Sequence, residues 1–151
     1  MKYVADIMTR DVFPLQAKQT LNVVRLLMRT VNVRHVPILD DQGRFIGLLS
    51  HRDLLAYSIS KLADIDPLEQ SELERSILIG DVMRTEIETT TPKTTLREAL
   101  GLMLKKKFGC LPVIDKDKRL VGIVTAEDVI RLAIRLLDKA ELTACHESPR
   151  D

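Results

Sequence analysis

Two stretches decide the fold of this chain: "GLLSHRD" at residues 47–53 and "GIVTAED" at residues 122–128. Each runs from an apolar segment through Ser/Thr-x-x-Asp into a second apolar segment. They lie 75 residues apart in a chain of 151 residues. A short phrase repeated at that distance indicates an internal duplication.

Residues Val4–Ala56 align with Ile79–Arg131 without a gap. Twelve of the fifty-three pairs are identical, against roughly three expected from ordinary residue usage. The identities in the first copy are Asp6, Met8, Lys18, Thr20, Leu21, Leu27, Met28, Pro37, Asp40, Arg44, Gly47 and Asp53. The chain is therefore a tandem duplication, and the period is too long for a solenoid repeat.

Hydrophobic periodicity predicts the same order of elements in each copy. An amphipathic helix begins after Thr20 in the first copy and after Thr95 in the second. A β-hairpin is predicted next, formed by "HVPIL" with "FIGLLS" in the first copy and by "CLPVI" with "LVGIVT" in the second. A second helix follows Ser50 and Thr125. The predicted buried positions of these later helices are Leu54, Leu55, Ile59 and Leu62 in the first copy, and Val129, Ile130, Ala133, Leu136 and Leu137 in the second. The expected fold class is α/β (α+β), built from two pseudo-twofold-related units of helix, strand, strand and helix.

The predicted boundaries are residues 1–62 for the first unit, 63–78 for a charged linker helix, 79–138 for the second unit and 139–151 for a flexible tail. Units of this size are marginally stable alone, so we expect them to share a core.

Composition argues against several classes of function. Lys plus Arg (23) nearly balance Asp plus Glu (22) and aromatic residues are few, so we expect no nucleic-acid binding. We also expect neither a signal peptide nor a membrane helix. Two cysteines favour a reducing cytoplasmic location, and the three histidines lack metal-ligand spacing.

The repeated pattern, "VPILD" with "GLLSHRD" and "LPVID" with "GIVTAED", resembles a pair of CBS domains, which together form a Bateman module. The resemblance covers about residues 4–138. It implies two sheets packed across a pseudo-twofold axis, with two clefts that bind adenine nucleotides (AMP, ADP or ATP), S-adenosylmethionine or NAD-type ligands. It also implies a regulatory sensor without a required cofactor, and association into a homodimer.

Elementary chemistry suits those residue types to a nucleotide. A carboxylate such as Asp53 or Asp128 accepts hydrogen bonds from two ribose hydroxyls, and Ser50 or Thr125 stands at a helix start that favours phosphate. The resemblance implies one cleft of Thr125, Asp128, Arg34 and His35, with Met8, Phe13 and Val33 around the base. It implies a second cleft of Ser50 and Asp53 with Gly109 and Cys110, near Met83, Glu88 and Phe108, and with His51 and Arg52 beside the motif. Arg34 and His35 supply cationic donors, so the Thr125/Asp128 cleft is the preferred site.

Simpler interpretations stand beside the ligand hypothesis. Ser-x-x-Asp and Thr-x-x-Asp are also helix N-caps, and one residue can both cap and bind. The basic residues can be ordinary surface charge, and Cys110 reads as a small buried apolar residue. The rival function is a structural dimerisation or assembly protein that has lost ligand binding. An enzyme is the weakest reading, because no nucleophile–base pair or paired carboxylates occur in the sequence.

Overall fold

The computed structural model describes residues 1–62 and 66–147. Predictions for residues 63–65 of the linker, for 148–151 of the tail, and for the side chains of Ile59 and Leu62 lie outside the described residues.

The first unit has the predicted order of elements. Its bounds are β1 (Leu15–Gln16), α1 (Leu21–Val31), β2 (His35–Leu39), β3 (Phe45–Ser50) and α2 (His51–Leu62). The sheet has the order β1-β2-β3, with β1 parallel and β3 antiparallel to β2. The helix–hairpin–helix prediction is confirmed here.

The second unit repeats this arrangement. After the linker helix α3 (Pro67–Glu74) and the short α4 (Ile79–Val82) come α5 (Leu96–Lys106), β4 (Cys110–Ile114), β5 (Leu120–Thr125) and α6 (Ala126–Glu147). Both hairpins carry a register shift at the same place, between Ile38 and Leu39 and between Val113 and Ile114. The duplication is thus preserved down to the irregularities of the strands.

The units exchange the segments that precede their first helices. Val4, Ile7 and Met8 pack in the core of the second unit, with Leu111 and Val124. Main-chain hydrogen bonds hold this segment there, including Val4 N–H to the carbonyl of Thr94.

Reciprocally, Ile79 packs in the core of the first unit, with Leu21 and Val36. Leu48 and Arg84 exchange both main-chain hydrogen bonds, at 2.9 and 3.0 Å. Each unit therefore completes the core of the other, which is the physical form of the shared core that the size of the units requires.

Helix α6 differs from the prediction in length and in the face that it buries. It continues past Asp138 to Glu147, so residues 139–147 of the predicted tail are helical. Leu132 is its buried apolar residue, whereas the predicted buried positions Ile130 and Leu137 are 60% and 62% exposed. Ala133 and Leu136 are exposed and Val129 is half-buried. The predicted stripe is apolar, but within the single chain it faces away from the core.

Leu55 of α2 is likewise exposed, although its neighbour Leu54 is buried as predicted. Among the described helices, none combines the length and the apolar character needed to span a bilayer.

Candidate functional site

Ser50 ends β3 and caps α2. Its backbone N–H donates to Asp53 Oδ2 at 3.0 Å, and the Asp53 N–H donates to Ser50 Oγ at 3.1 Å. This reciprocal pair is a capping box, so the capping interpretation of Ser-x-x-Asp is confirmed here. Asp53 Oδ1 lies 3.8 Å from Arg84, beyond hydrogen-bond distance. The side chain of Asp53 is 26% exposed, but Asp53 is not among the residues that line the cavity beside this helix start.

A cavity of about 660 Å³ opens beside this helix start, and we call it the Ser50 cavity. Its wall comes from three parts of the chain: the hairpin and helix start of the first unit, the segment after α4, and the connection from α5 to β4. The lining residues are Arg34, His35, Leu48, Ser50, His51, Arg52, Leu55, Arg84, Glu86, Ile87, Glu88, Lys106, Lys107, Phe108, Gly109 and Cys110. Its size falls in the usual range for small-molecule sites.

Arg34 and His35 line this cavity together with Ser50, and not the cavity that Asp128 lines. The four residues predicted for the preferred cleft, Arg34, His35, Thr125 and Asp128, therefore do not line one common cavity. The reason is the hairpin register. His35 is paired with Ser50 across β2 and β3, and the His51 N–H donates to the Arg34 carbonyl at 2.7 Å. The residues that begin β2 thus lie beside the Ser50 motif of their own unit.

The Ser50 cavity is cationic. Arginine and lysine contribute five of its lining side chains, whereas only Glu86 and Glu88 contribute carboxylates. Because the whole chain carries a net charge of only +1, this excess is local. A low-dielectric wall strengthens the attraction of such a cluster for an anion.

His35 is half-buried against the unit interface. A Cβ added at Gly109 would meet His35 Nε2 at 3.0 Å, so the imidazole lies close to the second unit. Burial lowers the pKa of His35, and the neighbouring Asp53 carboxylate partly opposes this shift. The ring is therefore neutral at pH 7 and available as a hydrogen-bonding group rather than as a fixed charge.

Cys110 forms part of the apolar wall. It is buried, and with Leu48 and Ile123 it forms a small core where the two hairpins meet. Burial raises the pKa of its thiol to about 12. A thiol with that pKa is not a nucleophile at neutral pH, which agrees with the predicted packing role.

The second cleft is smaller, and its carboxylate is buried. Asp128 lines a cavity of about 270 Å³, and its side chain is only 5% exposed. Its Oδ1 accepts from Thr9 Oγ1 at 2.8 Å, and its Oδ2 accepts from the Thr125 N–H at 2.8 Å. The carboxylate that a ribose would need is thus already engaged within the chain. The 75-residue repeat aligns Thr9 with Arg84. The cleft of Asp128 therefore has a short hydroxyl side chain where the Ser50 cavity has a long cationic one.

The remaining predicted base-slot residues divide between cavity and core. Glu88, Phe108 and Gly109 line the Ser50 cavity and Met8 lines the smaller one. Met83 and Val33 pack instead against the core of the first unit, and Phe13 is 46% exposed, outside the lining of either cavity.

Arg84, Lys106 and Lys107 also line the Ser50 cavity and were not predicted from the sequence. Arg84 immediately follows Met83, and Lys106 and Lys107 immediately precede Phe108. Their position beside two predicted site residues was the sequence feature that could have identified them.

Comparison with known proteins gives the same fold and the same repeat. The chain covers 99% of a proposed acetoin utilization protein, AcuB, from Vibrio cholerae, with 37% identity over 99% of its own length and a TM-score of 0.77. It is also similar to CBSX2 in complex with AMP, with 27% identity, a TM-score of 0.74 and coverage of 90% of this chain and 98% of that one. The cytosolic domain of the Mg²⁺ channel MgtE in complex with ATP matches at 26% identity and a TM-score of 0.68, over 87% of this chain and 48% of that one.

Two longer enzymes are also related, a homoserine O-acetyltransferase and an inosine-5'-monophosphate dehydrogenase, of which the chain spans 24% and 23%. The model of the CBS domain matches twice, at residues 4–60 and 79–135. These two matches coincide with the two copies found by self-alignment. The chain belongs to the CBS domain family, and it carries two CBS domains in tandem.

Proposed function

We propose that this protein is a non-enzymatic regulatory module that binds an adenine nucleotide in the Ser50 cavity. The observation that carries the proposal is the combination, in one cavity, of a helix start and an excess of cationic side chains. The partly exposed carboxylate of Asp53 is not a lining residue, but its Oδ1 lies 3.8 Å from Arg84 of the wall. These are the groups that a ribose and a phosphate require. Adenosine-containing ligands are bound by two similar structures, CBSX2 with AMP and the MgtE cytosolic domain with ATP.

The proposed pose follows from the chemistry of the wall. Asp53 Oδ1 accepts from the ribose hydroxyls, and the hydroxyl of Ser50, which accepts from Asp53 N–H, still has a proton to donate to a phosphate oxygen. Leu48, Ile87 and Phe108 supply apolar surface for the adenine ring. S-adenosylmethionine suits the cavity less well, because its sulfonium is itself a cation.

Binding becomes a signal because the cavity is built from both units. A ligand that touches Ser50 and Gly109 together stabilises one relative placement of the two hairpins over others, which is conformational selection. The helices α2 and α6 leave directly from Ser50 and Thr125, so a change at the cavity reaches the surface through them. We place this regulation in the cytoplasm, where the free thiols of Cys110 and Cys145 remain reduced.

We further propose that the protein is a homodimer joined through the exposed apolar face of α6. Ile130, Ile134 and Leu137 follow at helical spacing and are 60%, 53% and 62% exposed. Leu55, the residue that the repeat aligns with Ile130, is also exposed on α2. A repeated apolar position at the surface of a duplicated fold suits a two-fold, self-complementary interface.

Replacing Ile134 by glutamate is expected to weaken the dimer by about a hundredfold. An unpaired carboxylate in an apolar interface costs several kcal/mol, and 1.4 kcal/mol corresponds to a factor of ten. Sedimentation velocity across a concentration series measures the change. Leu104→Glu is the matched control, since Leu104 is 82% exposed on α5. A monomeric wild type, or a dimer indifferent to Ile134→Glu, would contradict this interface.

The alternative function is an assembly protein that keeps the fold without a ligand. The observation in its favour is that Ser50 and Asp53 already satisfy each other as a cap, and that Asp128 is fully engaged. In that case the geometry that the two motifs share serves the helices alone.

Titration calorimetry of the full chain with AMP, ADP and ATP separates the two functions. We expect one nucleotide per chain, and a free energy of unfolding that rises by about 2.7 kcal/mol at a ligand concentration of a hundred times Kd. Asp53→Asn is expected to weaken binding tenfold or more, because it removes the charged acceptor. Asp128→Asn, in the smaller cavity, is the control and leaves nucleotide affinity within about twofold. If none of the three nucleotides binds the wild type, the assembly function replaces the sensor.

A further inference from the structure

The cations of the Ser50 cavity exceed what a single phosphate group can use. They are Arg34, Arg52, Arg84, Lys106 and Lys107. Among the described residues, one of these five cations forms an ion pair: Arg84 lies 3.8 Å from Asp53. The remaining four lie beyond ion-pair distance of the described carboxylates, so their charge is available to a ligand.

These cations reach the cavity from separate parts of the fold. Arg34 and Arg52 flank the junction of the first hairpin with α2, Arg84 follows α4, and Lys106 and Lys107 end α5. Lysines at the end of a helix also complement its dipole, but that explains only two of the five. Bringing like charges together from three segments costs energy in the unliganded protein unless an anion occupies the space.

The charge of the ligand can be estimated from that of the wall. One phosphate carries about two negative charges at pH 7, and the two carboxylates Glu86 and Glu88 offset part of the cationic excess. Five cations and two carboxylates leave the wall with three positive charges, so a monophosphate would leave about one of them unbalanced. A chain of two or three phosphates extends over more of the wall and meets cations from more than one segment.

We propose that the Ser50 cavity selects polyphosphate adenine nucleotides, ADP and ATP, over AMP, with Arg52 and Lys106 among the residues that read the additional phosphates. This inference rests on the proposed nucleotide function and specifies its ligand. The selection is electrostatic, so it weakens as added salt screens the exposed cations.

The test compares ATP, ADP and AMP by titration calorimetry on the full chain in magnesium-free buffer, at 50 and 300 mM salt. We expect ATP to bind at least tenfold more tightly than AMP, ADP to lie between them, and the ratio to shrink at the higher salt. Inorganic tripolyphosphate, used as a probe without a base, is expected to compete with ATP.

The double variant Arg52→Gln/Lys106→Gln is expected to weaken ATP binding about tenfold and AMP binding less than threefold. Lys105→Gln/Lys116→Gln is the matched control, because it removes the same charge from exposed lysines outside the cavity lining. Thermal unfolding of each variant without ligand verifies that it folds.

Three outcomes would overturn the inference. Equal affinities for ATP and AMP would refute polyphosphate selection while leaving the nucleotide sensor in place. Equal losses in the two double variants would show that net charge, and not the cavity, attracts ATP. Absence of binding by all three nucleotides would refute both this inference and the function on which it rests.

Discussion

Replacing Arg25 by methionine is expected to lower the free energy of unfolding by about 3 kcal/mol. Arg25 of α1 forms a salt bridge with Glu74 of the linker helix α3. Its Nη2 donates to Glu74 Oε1 at 2.7 Å, and its Nε lies 3.0 and 3.1 Å from the two carboxylate oxygens. Glu74 is 1% exposed, so the substitution leaves a buried carboxylate without its cation. We place the loss at the low end of the range for broken buried pairs, because Arg25 is 28% exposed and Gln70 still reaches Glu74.

Urea denaturation of the two single variants measures this loss. Arg131→Met is the matched control: its partner Glu127 and Arg131 itself are 70% and 63% exposed, so we expect a change of at most about 0.5 kcal/mol. Arg25→Met/Glu74→Leu should recover most of the stability, because it removes the buried charge together with its partner. A single Arg25 variant no less stable than the control would mean that Glu74 is hydrated or finds another cation.

This pair also bears on function, because it fixes the linker to the first unit. The linker leads through Ile79, buried in the first core, to Arg84 at the wall of the Ser50 cavity. A loosened linker helix therefore weakens the placement of one cavity wall. We expect destabilisation in this region to reduce nucleotide affinity even though Arg25 and Glu74 do not line the cavity.

The duplicated phrases were sufficient to predict the fold, because each copy states its own order of helix, hairpin and helix. They did not reveal that the units exchange their leading segments. Val4 aligns with Ile79, so the apolar pattern fits either core equally well, and only the packed structure assigns Val4 to the second unit and Ile79 to the first. Sequence periodicity reports that a residue is buried, but not against which partner.

Arg34 and His35 line a different cavity from Asp128 for a reason that was present in the sequence. A hairpin brings the first residue of one strand opposite the last residue of the next, and His35 and Ser50 hold those positions. Applied consistently, this rule places Arg34 and His35 beside Ser50. The engagement of Asp128 in the other cleft could not be predicted from the sequence, because the Thr9–Asp128 hydrogen bond joins residues that only the exchanged segments bring together.

Helix α6 illustrates the limit of amphipathic patterns. Ile130 and Leu137 follow at helical spacing, yet Leu132, on another face, is the residue that packs in the core. Periodicity finds an apolar face without stating whether this chain or another covers it.

Gly47→Ala is expected to destabilise the protein by about 2 kcal/mol and to weaken nucleotide binding. A Cβ at this position would lie 2.6 Å from Met83 Sδ and 3.0 Å from the Arg84 carbonyl oxygen. The sulfur can move, but the carbonyl belongs to the paired backbone of Leu48 and Arg84. The main-chain pairing of Leu48 with Arg84 must therefore shift, and the Arg84 side chain at the cavity wall shifts with it. Gly122→Ala meets the equivalent contact, 2.9 Å from the Thr9 carbonyl oxygen, and should cost a similar amount of stability.

The decisive comparison is with Gly101→Ala on α5. A Cβ at Gly101 meets no atom within 4 Å, so this variant gains helix propensity and should be more stable than the wild type by about 0.5 to 1 kcal/mol. Replacing glycine by alanine thus lowers stability at Gly47 and raises it at Gly101. A general effect of glycine replacement cannot account for changes of opposite sign. The variants also separate stability from function. Gly122→Ala should leave nucleotide affinity nearly unchanged, because it displaces Thr9 at the wall of the smaller cavity, whereas Gly47→Ala displaces Arg84 at the wall of the Ser50 cavity. Equal nucleotide affinities of Gly47→Ala and Gly122→Ala would contradict the assignment of the Ser50 cavity as the nucleotide site. Strain at the wall of the Ser50 cavity would then matter no more to binding than the same strain at the other cavity.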